Sequence, residues 1–265
     1  MLITAGERAP EFSALEQVLG AAFKLDRATA AAAARHCWGV LGQNLDETAA
    51  EDLAVRCADF GIQTLKLPCP QPPLPTAEKV KKVVFPQDRP EEKTGAALFT
   101  GGAGVSAAAG PGDIAVLAAA PIKEETLRTV KTTEGPSGQE KAVRLGIMTV
   151  TGLPIGLGKS REVTKEVKSS DLSFYLDIVL SAGRRLRLTS GDFDFSCLKE
   201  KKTYSSQLNF RLLCAELAAF APAAFKSAGL RAILEARPLA LIPYDSLADL
   251  EKETLRLVLA KRADA

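Results

Sequence analysis

His36 is the single histidine of the chain. A Ser-His-Asp or Cys-His arrangement would have to pass through it, because general-base work near neutral pH falls most often to imidazole. Adjacent Cys37 cannot share its helix face, since neighbouring side chains on a helix diverge. His36 therefore reads as a residue near a helix C-terminus, where a cation meets the negative end of the dipole. The run Gly152–Ser160 (GLPIGLGKS) has the outline of a phosphate loop. Five residues separate Gly152 from Gly158 where the motif needs four, and Pro154 removes an amide donor. A surface loop is the better reading. The acidic pairs Glu124/Glu125 and Asp192/Asp194 could suggest metal or acid–base work. Asp192 and Asp194 alternate with Phe193 and Phe195, which is the pattern of a strand with one solvated face. Cys37, Cys57, Cys69, Cys197 and Cys214 are odd in number and show no CxxC spacing, so neither a disulfide framework nor a zinc site is expected.

The most basic stretch holds Arg184, Arg185 and Arg187, followed by Lys199, Lys201 and Lys202. With Tyr204 it is the one candidate ligand or anion surface in the chain. Asp192, Asp194 and Glu200 dilute its charge, and few aromatics interleave with it, so a solvated hairpin is favoured over a nucleic-acid platform. The net charge of +2 predicts no wholesale affinity for nucleic acid or membrane. No apolar run is long enough to span a bilayer, and Met1–Pro10 lacks the apolar core of a signal peptide. A cytoplasmic protein is expected.

The elements that must position these residues fall into four segments. Residues 1–68 read as a small α/β module. Leu2–Thr4 is strand-like, and Phe12, Leu15, Leu19 and Phe23 recur at helical spacing. Asp26 and Asp46 are N-caps of two further helices, and Gly61 is a left-handed stop. Between those helices Cys37–Leu41 is a strand or tight crossover, and Ile62–Leu67 closes the module. Residues 69–93 read as a Pro-rich, then charged, linker: with Pro68 before it, the run 68–76 (PCPQPPLPT) holds five prolines in nine positions.

Residues 94–222 break into short β-prone pieces. The pieces are 96–100, 104–108, 113–119, 127–133, 143–150 and 161–167, then the hairpin 174–180/185–189 with Gly183 in its turn. A closing helix capped by Ser205 or Ser206 buries Phe210, Leu213, Leu217 and Phe220. Residues 223–265 are a helical extension whose last helix begins at Ser246, with Asp249 completing a capping box. The fold class is α+β: a small α/β module plus an antiparallel β barrel or sandwich with C-terminal helices.

The order helix, Leu25-Asp26, helix, apolar crossover, Leu45-Asp46, helix, Gly61, strand is similar to the C-terminal domain of the bacterial ribosomal stalk protein and to the Clp-protease adaptor fold. That resemblance implies protein binding. The stalk domain recruits translation factors through a basic first helix, whereas this helix carries no Lys or Arg before Lys24, so that partner is not implied. The second module resembles a pleckstrin-homology-like barrel. Its first hairpin loop, Thr100–Gly104, lacks charge, which argues against phosphoinositide recognition. The whole chain, with Leu176-Asp177-Ile178 and Phe193-Asp194-Phe195, looks like two-module bacterial proteins without an assigned activity.

The sequence thus points to an adaptor-type interaction protein rather than an enzyme, without cofactor or metal. Phe12, Leu15, Glu16 and Leu19 are the candidate partner-binding helix, and an open strand edge could accept a partner strand. One alternative is a small-molecule binder or enzyme using the barrel mouth near Arg185, Arg187, Asp192 and Tyr204. The other is weak association of the basic hairpin with anionic membrane.

Overall fold

Asp26 and Asp46 each start a helix by presenting a carboxylate to amides that would otherwise lack partners. Asp26 accepts from the amides of Ala28 and Thr29 at 3.0 and 3.1 Å, and Asp46 from Ala49 at 2.7 Å. They lead into α2 (Arg27–Cys37) and α3 (Glu47–Asp59), which follow α1 (Phe12–Phe23). Three short strands, β1 (Leu2–Thr4), β2 (Val40–Gly42) and β3 (Thr64–Lys66), form an antiparallel sheet in the order β2-β1-β3. The computed structural model describes residues 1–88, 95–102, 106–134, 161–238, 242 and 244–264.

Strand alternation gives β1 two apolar faces. Leu2 joins Leu15, Val18, Leu19, Leu53 and Cys57 in a core against the module's own helices. Met1 and Ile3, with Val40, face the other way and pack on Leu259 and Ala260 of the last helix. The small sheet is therefore a middle layer, covered on one side by α1–α3 and on the other by a helix from the far end of the sequence.

The expected linker is shorter than 69–93. Ala77–Val84 is a strand, β4, with Val80 and Val83 buried. Its three lysines hide the apolar alternation, and a register shift between Val80 and Lys82 breaks the period. Then come β5 (Ala97–Gly101), β6 (Ser106–Ala109), β7 (Ile114–Glu134), β8 (Arg161–Leu180) and β9 (Arg185–Thr189). With β10 (Phe225–Lys226) they form a seven-stranded sheet in the order β10-β7-β8-β9-β4-β5-β6. The sheet is mixed rather than antiparallel throughout, because β4 pairs parallel with β9 and β10 parallel with β7. The segment 143–150 and the Gly152–Ser160 run lie outside the described residues.

Helices α4 (Ser206–Phe220), α5 (Ala228–Leu234) and α6 (Leu247–Ala263) complete the α+β fold. Phe210 of α4 packs on Phe174 of β8, ring centroids 5.3 Å apart. The 223–265 segment is more than a helical extension, since it supplies β10 and α5 as well as α6. Residues Met1–Ile122 and Leu172–Ala265 pack as one unit, and Lys123–Asp171 as another, so the proline-rich stretch does not divide the chain.

Candidate functional site

The basic hairpin is not a solvated anion surface. On β8 and β9, Leu176, Ile178, Leu186 and Leu188 are fully buried on one face. Asp177, Arg185 and Arg187 occupy the other, which α6 covers with Glu251. Asp177, opposite Arg187 in the register, is 0% exposed. It accepts from Arg185 Nε and Nη2 at 2.9 and 2.6 Å, and from Arg187 Nε and Nη2 at 2.6 and 2.8 Å. Glu251 Oε1 takes a further bond from each guanidinium, at 2.8 and 2.9 Å. Burial pushes the Asp177 carboxyl up to about 6, against the pull of Arg187. Arg184 forms a two-pronged pair with Glu78 at 2.9 and 2.6 Å. The three arginines of the candidate ligand surface are thus held by three carboxylates, while Tyr204 is fully exposed.

The acidic residues beside this hairpin form a turn rather than the expected strand. Asp192 pairs with Lys79, and Asp194 caps a 3-10 helix (Phe195–Lys201) through the Ser196 amide at 2.9 Å. Side chains of Glu124 and Glu125 lie outside the described residues.

The expected partner helix divides between core and surface. Leu15 and Leu19 are core residues of the module, so they cannot meet a partner. Phe12 and Phe23, at the two ends of α1, stay about half exposed, and Glu16 pairs with Arg27 at 3.5 Å. Along the α1–α2 seam lie two hollows. One, of about 530 Å³, is lined by Ser13, Glu16, Gln17, Gly20 and Ala21 of α1 with Leu25, Arg27 and Ala30. The other, of about 260 Å³, is lined by Phe12 with Ala31, Ala32, Arg35 and His36 of α2. Gly20 permits the close helix approach, since a Cβ there would stand 3.3 Å from the Ala30 Cβ.

Where α2 ends, the structure builds a polar junction with the start of α6. Trp38 lies flat on Tyr244 and donates its indole N–H to Asp249 Oδ1 at 3.0 Å. Ser246 and Asp249 form the expected capping box, with Asp249 Oδ2 accepting from Ser246 N and Oγ, each at 3.1 Å. Burial would raise the Asp249 carboxyl, but the bonds from Trp38 and Ser246 hold it below its ordinary value. His36 does stand at a helix C-terminus, and its Nδ1 is 3.5 Å from Asp249 Oδ1. One ligand atom each from His36, Asp245 and Asp249 lie within 4.8 Å of one another. Local motif reading could not find this trio, because Trp38 and Asp249 of the same junction are 211 positions apart.

Deeper, the Tyr244 hydroxyl meets Glu253 and accepts from Gly229 N at 3.0 Å. Burial, then Glu253, raise the Tyr244 hydroxyl well above its ordinary value. Arg256, fully buried, donates to the carbonyls of Gly6 and Glu7 at 2.9 and 3.1 Å.

The thiols are free, and those in the core are poor nucleophiles. Burial raises Cys37 and Cys214, and pushes Cys57 up to about 11. Exposed Cys69 differs, since the amino group of Met1, 3.2 Å away, lowers it. Among the described residues, no helix is long and apolar enough to cross a membrane. No family model, curated protein or solved structure matches this chain.

Proposed function

We propose that the protein is a non-enzymatic binding protein that docks an amphipathic helix of a protein partner along the α1–α2 seam. The observation that carries this reading is the pair of hollows on that seam, each lined by residues of both helices or their junction. Phe12, which lines the second hollow, and Phe23, at the other end of α1, are partly exposed aromatics. Their helical separation places them about 16 Å apart along α1 and within about 20° around its axis. A partner helix of about three turns spans that distance and can seat apolar residues at i, i+3 and i+7. The likeness of the first module to the Clp-adaptor fold supports the same reading. Five free thiols suit a reducing compartment, so we place this activity in the cytoplasm.

The test is site-specific photo-crosslinking in the full chain. A photoreactive residue at Ala21 or Ala32, both exposed on the seam, is expected to trap the same partner, while one at exposed Asp59 of α3 traps none. Gln17→Arg with Ala21→Arg should weaken that capture about tenfold or more. Equal trapping from Asp59, or indifference to the double substitution, overturns the seam as the docking surface.

A further inference from the structure

We propose that His36, Asp245 and Asp249 form a binding site for a divalent first-row transition cation of the Zn2+ type. The spacing is the first argument. His36 Nδ1 and Asp249 Oδ1 stand 3.5 Å apart. That is long for a hydrogen bond. It is close to the span of two ligand atoms bound tetrahedrally at about 2.1 Å to one ion, about 3.4 Å. The third ligand atom, from Asp245, completes a set within 4.8 Å.

Preorientation is the second argument. A ligating carboxylate binds well when its other lone pairs are already tied. Asp249 meets that condition: Oδ2 takes the amides of Asp245 and Ser246 at 3.2 and 3.1 Å, and Oδ1 takes the Trp38 indole at 3.0 Å. One lone pair of Oδ1 remains on the His36 side. His36 is placed by the end of α2, and its carbonyl is held by Lys252 Nζ at 2.8 Å. The imidazole half of the site is open to solvent, with 49% of the His36 side chain exposed against 11% for Asp249. An ion can therefore enter without unfolding the junction.

The donor set chooses the ion. One imidazole nitrogen with two carboxylates suits Zn2+, Co2+ or Ni2+, whereas Mg2+ and Ca2+ prefer oxygen throughout. Three protein ligands leave a position for water or an incoming group. This inference does not rest on the docked helix, although His36 also lines the hollow beside Phe12.

The experiment uses the full chain, stripped of metal, in a Cys69→Ser background that removes the exposed thiol. Titration calorimetry with Zn2+ is expected to give one equivalent at micromolar affinity, and Mg2+ binding about tenfold weaker or less. His36→Ala and Asp245→Asn remove exposed side chains, so both should fold and melt as the parent does without metal, yet bind Zn2+ about tenfold more weakly. Bound Co2+ should show no thiolate charge-transfer absorption. Unchanged binding in both variants, a thiolate band, equal affinity for Mg2+, or no micromolar binding each overturns the site.

Discussion

Trp38 and Tyr244 lie face to face, ring planes 5° apart and centroids 4.4 Å apart, and each directs its polar end to a different carboxylate of α6. The indole reaches Asp249 and the phenol reaches Glu253, one turn further along the helix. The stack joins the end of α2 to the beginning of α6 and closes one end of the principal core. Its geometry satisfies both halves of an amphipathic aromatic: rings in apolar contact, polar atoms hydrogen-bonded.

Separating these contributions requires two substitutions. Trp38→Phe keeps a ring over Tyr244 but removes a hydrogen bond to a carboxylate, and should cost about 2 kcal/mol. Trp38→Ala also leaves a cavity and should cost about 4 kcal/mol. Urea denaturation of the full chain measures both. Equal losses would mean that the hydrogen bond, rather than the stack, holds the junction.

Two buried carboxylates should respond to pH in opposite senses. Asp249 is held below its ordinary value, so its stabilising contribution is present above about pH 4 and lost as pH falls through its folded-state value. Asp177 is raised to about 6, so its contribution is greatest below about pH 4 and is lost as pH rises through about 6. Stability measured from about pH 2 to 7 should show the advantage of the wild type over Asp249→Asn falling away below about pH 4 and level well above it, while its advantage over Asp177→Asn shrinks as pH rises towards 6. An Asp177 advantage constant with pH would show that the two guanidinium groups outweigh burial.

The β8–β9 hairpin shows why part of this protein was legible in the sequence and part was not. Its two strands and turn followed from alternation and from Gly183, and the caps at Asp26, Asp46, Ser205 and Ser246 all follow from local rules. Arg-Leu-Arg-Leu reads as one buried and one solvated face because alternation reports polarity and not cover. The cover is α6, whose Glu251 lies 66 positions from Arg185. The lysines of β4 concealed a strand at the interior of the sheet for the same reason, and its parallel pairing with β9 had no local signal. The helix α1 was legible, but its spacing did not tell that Leu15 and Leu19 belong to the core. The His36, Asp245 and Asp249 trio was not legible, since its members come from distant segments.

Gly39 should tolerate no side chain. Its φ of 77° lies in the left-handed region, and a Cβ would overlap Arg256 Cδ and Thr4 Oγ1. Gly39→Ala combines a conformational cost of about 1–2 kcal/mol with overpacking of about 1–3 kcal/mol. A loss of about 3 kcal/mol in urea denaturation is expected. Gly61, with a similar φ but open space around it, should lose only the conformational part when changed to alanine.

The isolated fragment 1–68, although it reads as a module, should fail to melt cooperatively. Ile3, Met1 and Val40 would lose Leu259 and Ala260 and stand exposed as an apolar face. Within the full chain, Ile3→Ala should cost about 2–5 kcal/mol. A sharp thermal transition for the fragment would show that the α1–α3 core suffices alone.

Arg256 donates to Gly6 and Glu7 across 250 and 249 positions of sequence. Glu7 in turn accepts from the Lys226 amide and Arg231. During synthesis, β1 therefore leaves the ribosome well before the helix that covers it. At elongation rates of about 5–20 residues per second, β1 waits roughly 10–50 s for the helix that covers it. For that interval the nascent chain displays the apolar face of Met1, Ile3 and Val40 uncovered, and its safe folding depends on whatever shields that face until translation reaches α6.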